Sequence, residues 1–118
     1  MNSTVNGKLI ANQPIAVSCY TGPALDPKQC QTVSKQWANT SFQELSPIGY
    51  TYPVLNTCVP TNPKNISEAV FPGCDLGPAP VYTVNATKAD DVAAGIKFAK
   101  DNNVRLVIKN TGHDIVGR

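Results

Sequence analysis

The sequence predicts an α+β fold in which an irregular, disulfide-stapled arm precedes a βαβ unit. Three observations carry this. All four cysteines, Cys19, Cys30, Cys58 and Cys74, lie before Gly77, in a stretch rich in Pro, Asn, Ser and Thr with no sustained periodicity. From Pro80 the character changes to two branched apolar runs around one amphipathic helical pattern. A Gly-rich segment then ends the chain at Arg118 with no element to close the domain. The expected boundaries are therefore 1–77 for the arm and 78–118 for the start of a domain that continues beyond the chain.

Composition narrows the class. Of 118 residues, 42% are hydrophobic and 15% charged, as in an ordinary folded domain. No stretch approaches the roughly 18 to 20 apolar residues that span a bilayer. A net charge of +2, with Lys and Arg scattered, does not supply the basic face that nucleic acids require. The cysteines lack the C-x-x-C spacing of a metal site. Their even number, with sequons at Asn2, Asn39, Asn65 and Asn85, points to a glycosylated, secreted protein in an oxidising compartment. No charged and apolar leader precedes Met1, so the start reads as processed or replaced.

Within the arm, pairing of sequence neighbours gives Cys19 with Cys30 and Cys58 with Cys74, one of three possible connectivities. Thr32 to Phe42 reads as a short helix with Val33, Trp37 and Phe42 inward, Trp37 serving packing. In the second part, Val81 to Val84 is a β-branched and aromatic run bounded by Pro80 and Asn85, and reads as a strand. Thr87, three residues before Asp90, suggests a capping box, and Asp90 and Asp91 suit the positive end of a helix. Ala89, Val92, Ala93, Ile96 and Ala99 form its buried stripe, while Lys97, Lys100 and Asp101 face water. Asn102 and Asn103 end the helix, and Val104 to Ile108 reads as a strand covered on both faces. A right-handed crossover would make the two strands parallel and place the next loop at a carboxyl edge, where α/β sheets bind ligands.

That loop, Lys109 to Arg118, sets two glycines around the single histidine, His113, with a base at either end. Glycines let backbone N–H groups converge on an anion, and Lys109 and Arg118 would add attraction. A plain solvated turn uses the same residue types. The dinucleotide fingerprint G-x-G-x-x-G is absent, and Gly112 to Arg118 matches a P-loop only with Arg in place of its Lys. A lone histidine builds neither a metal site nor a triad unaided.

The residues Pro80-Val81-Tyr82-Thr83-Val84-Asn85, the helix from Ala89 to Asn103, and Arg105 to Asp114 with Gly117-Arg118 resemble secreted fungal FAD-linked oxidoreductases of the vanillyl-alcohol oxidase superfamily. These have an FAD-binding domain of the p-cresol methylhydroxylase type and include berberine bridge enzyme-like relatives. The resemblance is specific over Cys74 to Arg118. Gly7-Lys8-Leu9-Ile10, Pro14, Cys19 and Cys74-Asp75-Leu76-Gly77 also look like the leader of the fungal members.

The resemblance implies that Asn110, Thr111, Gly112, His113, Asp114 and Gly117 surround the FAD pyrophosphate. It also implies that His113 is joined to the flavin 8α-methyl group, as a tether and not a base. A neutral imidazole is a competent nucleophile for that bond. The implied reaction is oxidation of a small organic substrate, such as an alcohol or carbohydrate-like molecule, with O2 reduced to hydrogen peroxide. The catalytic base and the substrate domain would belong to the remainder of the protein, expected as a companion chain. The alternatives are a disulfide-stapled secreted binding module and a catalytically inactive flavin-binding homologue.

Overall fold

The structure, a computed structural model, describes residues 2–51, 57–61 and 73–113. Its sheet is an antiparallel pair. Strand β1, Leu9–Ala11, runs against β2, Tyr82–Val84, with Leu9 opposite Val84, Ile10 opposite Thr83 and Ala11 opposite Tyr82. Asn12 extends the seam: its backbone N–H donates to Val81 O, and its side-chain amide donates to Pro80 O and Thr83 Oγ1 at 2.8 and 2.7 Å. At the other end Asn85 N–H donates to Lys8 O. The ladder thus stitches the arm to the segment that follows Gly77.

Among the described residues, two α-helices stand in the arm where one was expected. Helix α1 is Pro27–Gln36 and helix α2 is Thr40–Leu45. Asp26 caps α1, its carboxylate accepting from the N–H groups of Lys28 and Gln29, and Pro27 fits the first helical position because it lacks a donor that would go unpaired. A second cap interrupts the expected Thr32–Phe42 helix: Asn39 Oδ1 accepts from Phe42 N–H and starts α2 afresh. The inward residues stand as read, since Val33 is fully buried and Trp37 and Phe42 pack on a cluster of Ala16, Val33 and Cys58.

The disulfides join sequence neighbours. Cys19–Cys30 fastens the turn Val17–Cys19 to α1, and Cys58–Cys74 brings Cys74 against the same core. Gln43 is buried beneath α2 and donates to Trp37 O at 2.7 Å.

Helix α3, Ala89–Asp101, ends as the paired asparagines suggest. Asn102 is its C-cap, and Asn103 takes the left-handed conformation that asparagine tolerates. Its start differs from the capping box expected at Thr87 and Asp90. Lys88 holds the cap position, and it is Asp91 that reaches back, accepting from Thr87 N–H at 3.0 Å. Asp91 is also paired with Lys8 Nζ at 2.5 Å, and this hydrogen bond, more than the one from Thr87, lowers its pKa from 3.8 to about 2.

The expected βαβ unit is not seen among the described residues. Val104 to Ile108 forms no ladder among the described residues, and β2 pairs with β1 instead of lying parallel to that run. A strand exists only where a neighbour takes its N–H and C=O groups, and β1 already occupies one edge of β2. The same lack of cover corrects the buried stripe on α3. Ala99 is buried, but Ala89 and Ala93 are exposed, as are Val92 and Ile96 at 42% and 45%. Lys97, Lys100 and Asp101 face solvent as read.

Candidate functional site

The Gly-His loop is docked onto the end of α2. Three contacts hold it, each from a different chemical source. The Lys109 side chain folds back so that Nζ donates to Glu44 O and Ser46 O, both at 2.8 Å. These carbonyls lie at the last turn of α2, where backbone acceptors lack intrahelical donors and a cation is favoured. Burial pushes the Lys109 pKa down, partly countered by the negative charge of Glu44. Lys109 is therefore a structural anchor here, and the expectation that it adds attraction for an anion is corrected: both contacts turn its charge toward α2.

The second contact is a backbone bond. Thr51 N–H donates to Gly112 O at 3.0 Å. Gly112 is buried with φ of +88°, and a Cβ there would lie 2.6 Å from Lys109 Cε and 3.1 Å from Gly49 O. Glycine is thus required twice over, by the left-handed backbone and by the close approach of the lysine stem. Gly49 answers a similar demand on the α2 side, since a Cβ there would overlap Gln43 O.

The third contact involves His113. Its Nδ1 lies 2.7 Å from Glu44 Oε1, and the same oxygen accepts from the Thr51 hydroxyl at 2.7 Å. The Thr51 bond, then the His113 bond, holds the Glu44 carboxyl below its usual range. An ionised carboxylate has no proton to give, so the imidazole must be the donor, with its hydrogen on Nδ1. The His113 side chain nevertheless remains 60% exposed, whereas that of Glu44 is 18% exposed.

Of the other residues expected around a ligand, Thr111 Oγ1 accepts from His113 N–H at 3.4 Å, and Asn110 is exposed beside it. Asp114 and Gly117 lie outside the described residues. Among the sequon asparagines, Asn2, Asn39 and Asn85 are exposed, and Asn65 lies outside the described residues. Glu44 and Thr51 were not expected at the site. A carboxylate in the last turn of a helix is disfavoured by the helix dipole and so asks for a partner, but that signal is readable only once α2 is known to end at Leu45.

No protein-family model matches the chain. Similar proteins nevertheless define its class. FAD-linked oxidoreductase hmp9 of Hypomyces subiculosus is 43% identical over 99% of this chain and 18% of its own length. VAO-type flavoprotein oxidase VAO615 of Thermothelomyces thermophilus is 39% identical over 100% of this chain and 20% of its own. The crystal structure of VAO-type flavoprotein MtVAO713 from Myceliophthora thermophila superposes at a TM-score of 0.85, with 43% identity, over 99% of this chain and 20% of that one. These similarities place the chain among FAD-linked flavoproteins. Within that class the match is to VAO-type flavoproteins, along nearly the whole of this chain. The chain spans about one fifth of the length of the curated relatives it matches.

Proposed function

We propose that this chain supplies the covalent flavin-attachment loop of an FAD-dependent oxidoreductase, with His113 as the attachment residue. The observation that carries the reading is that the loop backbone is pinned at Lys109 and Gly112 while the imidazole stays exposed. In a chain that matches VAO-type flavoproteins along nearly its whole length, this presents a nucleophile on a fixed support. Asn110, Thr111, Gly112, His113, Asp114 and Gly117 would surround the FAD pyrophosphate. When bound, the flavin would accept two electrons from an alcohol or carbohydrate-like substrate and pass them to O2, giving hydrogen peroxide.

The fit of the loop to a flavin rests on chemistry and on conformation. The imidazole has one ring nitrogen with no partner among the described residues, and Gly112 lets the chain turn sharply beside it. Segment 1–77 would act as a disulfide-stapled arm and 78–118 as the start of the FAD-binding domain. Secretion is supported by the two disulfides and the exposed sequon asparagines. The uncovered apolar face of α3 and Val104 to Ile108 support a larger partner, the remainder of the same protein.

Acid precipitation of the full-length protein tests the attachment. The wild-type pellet should be yellow, and that of His113→Ala colourless, with its flavin in the supernatant. A pellet that stays yellow in His113→Ala removes His113 from the role. A wild-type protein without flavin absorbance removes the flavoprotein reading altogether.

A further inference from the structure

Glu44 sits on a helix that the cofactor loop does not belong to, 69 residues away in sequence, and yet its Oε1 is the atom that the His113 ring contacts. Resting on the reading of His113 as the attachment residue, we propose that Glu44 is its positioning residue: it fixes the imidazole ring and tautomer, and stands ready for the proton that attachment releases.

The geometry makes a double constraint. One oxygen receives both the Thr51 hydroxyl and the His113 Nδ1–H. Thr51 is itself bonded through its backbone N–H to Gly112 O, so carboxylate, threonine and loop close a ring of contacts around the histidine. Lys109 adds a fourth side by binding the backbone carbonyl of Glu44 itself. The ring therefore cannot turn about its own bonds without giving up a charge-assisted hydrogen bond. Glu44 is mostly shielded by this packing, so its negative charge acts on the imidazole at short range.

Attachment replaces one C–H bond of the flavin 8α-methyl group and one imidazole N–H bond by a C–N bond. Two protons and two electrons leave, and molecular oxygen takes them up as hydrogen peroxide. The proton that the imidazole must surrender is the one already hydrogen-bonded to Glu44. A carboxylate in that position accepts from Nδ1–H, which leaves Nε2 as the nucleophilic nitrogen, and stabilises the positive charge that develops on the ring as the bond forms. Asp–His pairs in hydrolases use the same electrostatics, with the carboxylate acting through the histidine.

The test uses the full-length protein prepared without flavin and then given FAD. Acid-insoluble flavin is followed with time in the wild type, Glu44→Gln and Glu44→Ala. Glutamine keeps an oxygen that accepts from both Thr51 and His113, so the loop stays docked while the charge is lost. Glu44→Gln should bind FAD and melt as the wild type does but form the covalent bond about a hundredfold more slowly, the lower end for loss of a positioned proton acceptor. Glu44→Ala should be at least as slow. With labelled histidine, the 15N shifts of His113 in the flavin-free wild type should report the Nδ1–H form. Attachment at the wild-type rate in both variants, or the Nε2–H form in the wild type, overturns the role of Glu44. His113→Ala separates the two claims: covalent flavin in that variant defeats the attachment reading, whereas its loss together with normal rates in both Glu44 variants defeats the positioning proposal alone.

Discussion

The arm and the segment after Gly77 are built on opposite principles. The arm buries Val5, Ala16, Cys19, Cys30, Val33, Ile48 and Cys58, and closes itself with two disulfides. The later segment buries Ala99 and the carboxylate of Asp91, while Val104, Leu106, Val107 and Ile108 are between 47% and 71% exposed. One region completes a small core and staples it; the other keeps its apolar residues on the surface. The difference teaches how the loop is held. His113 belongs to the region with the exposed apolar residues, but its supports, Glu44, Ser46 and Thr51, belong to the stapled one.

The largest effect should come from the staples. Replacing Cys19 and Cys30 by serine, or Cys58 and Cys74, opens loops of 11 and 16 residues and should cost about 3 kcal/mol each in the chain-entropy account. Hydrogen exchange is the readout, with amides of α1 exchanging faster while those of α3 change less. Equal acceleration in both helices would break the contrast between the regions. A smaller effect is expected where the loop docks. Gly112→Ala combines a left-handed φ with a contact to a lysine stem tied at its end by two hydrogen bonds, and should cost about 1 to 3 kcal/mol of local stability. Faster exchange at Thr51 N–H, which bonds Gly112 O, would report it.

The smallest and most reversible effect lies at the seam between β1 and α3. Asp91 has its pKa lowered from 3.8 to about 2, chiefly by the hydrogen bond from Lys8, so the stability it lends is present above pH 3.8 and lost as the pH falls toward 2. An acid titration followed by exchange of the Thr87 amide should show this loss, and Lys8→Met should move its midpoint upward. A midpoint that does not move would mean that Lys8 does not hold the carboxylate.

Local chemistry was legible where a residue acts on its own neighbours. The stop of α3 at Asn102 and Asn103 and the strand at Tyr82–Val84 follow from propensity, whereas the pairing of adjacent cysteines was one of three connectivities and was chosen by the fold. Asp26-Pro27 and Asn39 are equally local cap signals, and they explain why a continuous Thr32–Phe42 helix gives way to two. By contrast, a one-residue shift from the expected cap at Thr87 with Asp90 depended on Lys8, about eighty residues away, which draws Asp91 inward.

By itself, then, the sequence determined helix α3, the likeness to FAD-linked oxidoreductases and the singular position of His113, because each is set by neighbours along the chain or by residues standing in a recognisable order. The tertiary structure decided which strand pairs with β2, that Lys109 turns inward, and that Glu44 and Thr51 meet His113. Those depend on groups about 60 to 80 residues apart being brought within hydrogen-bond distance, and a hydrogen bond leaves no trace in sequence order until the chain has folded.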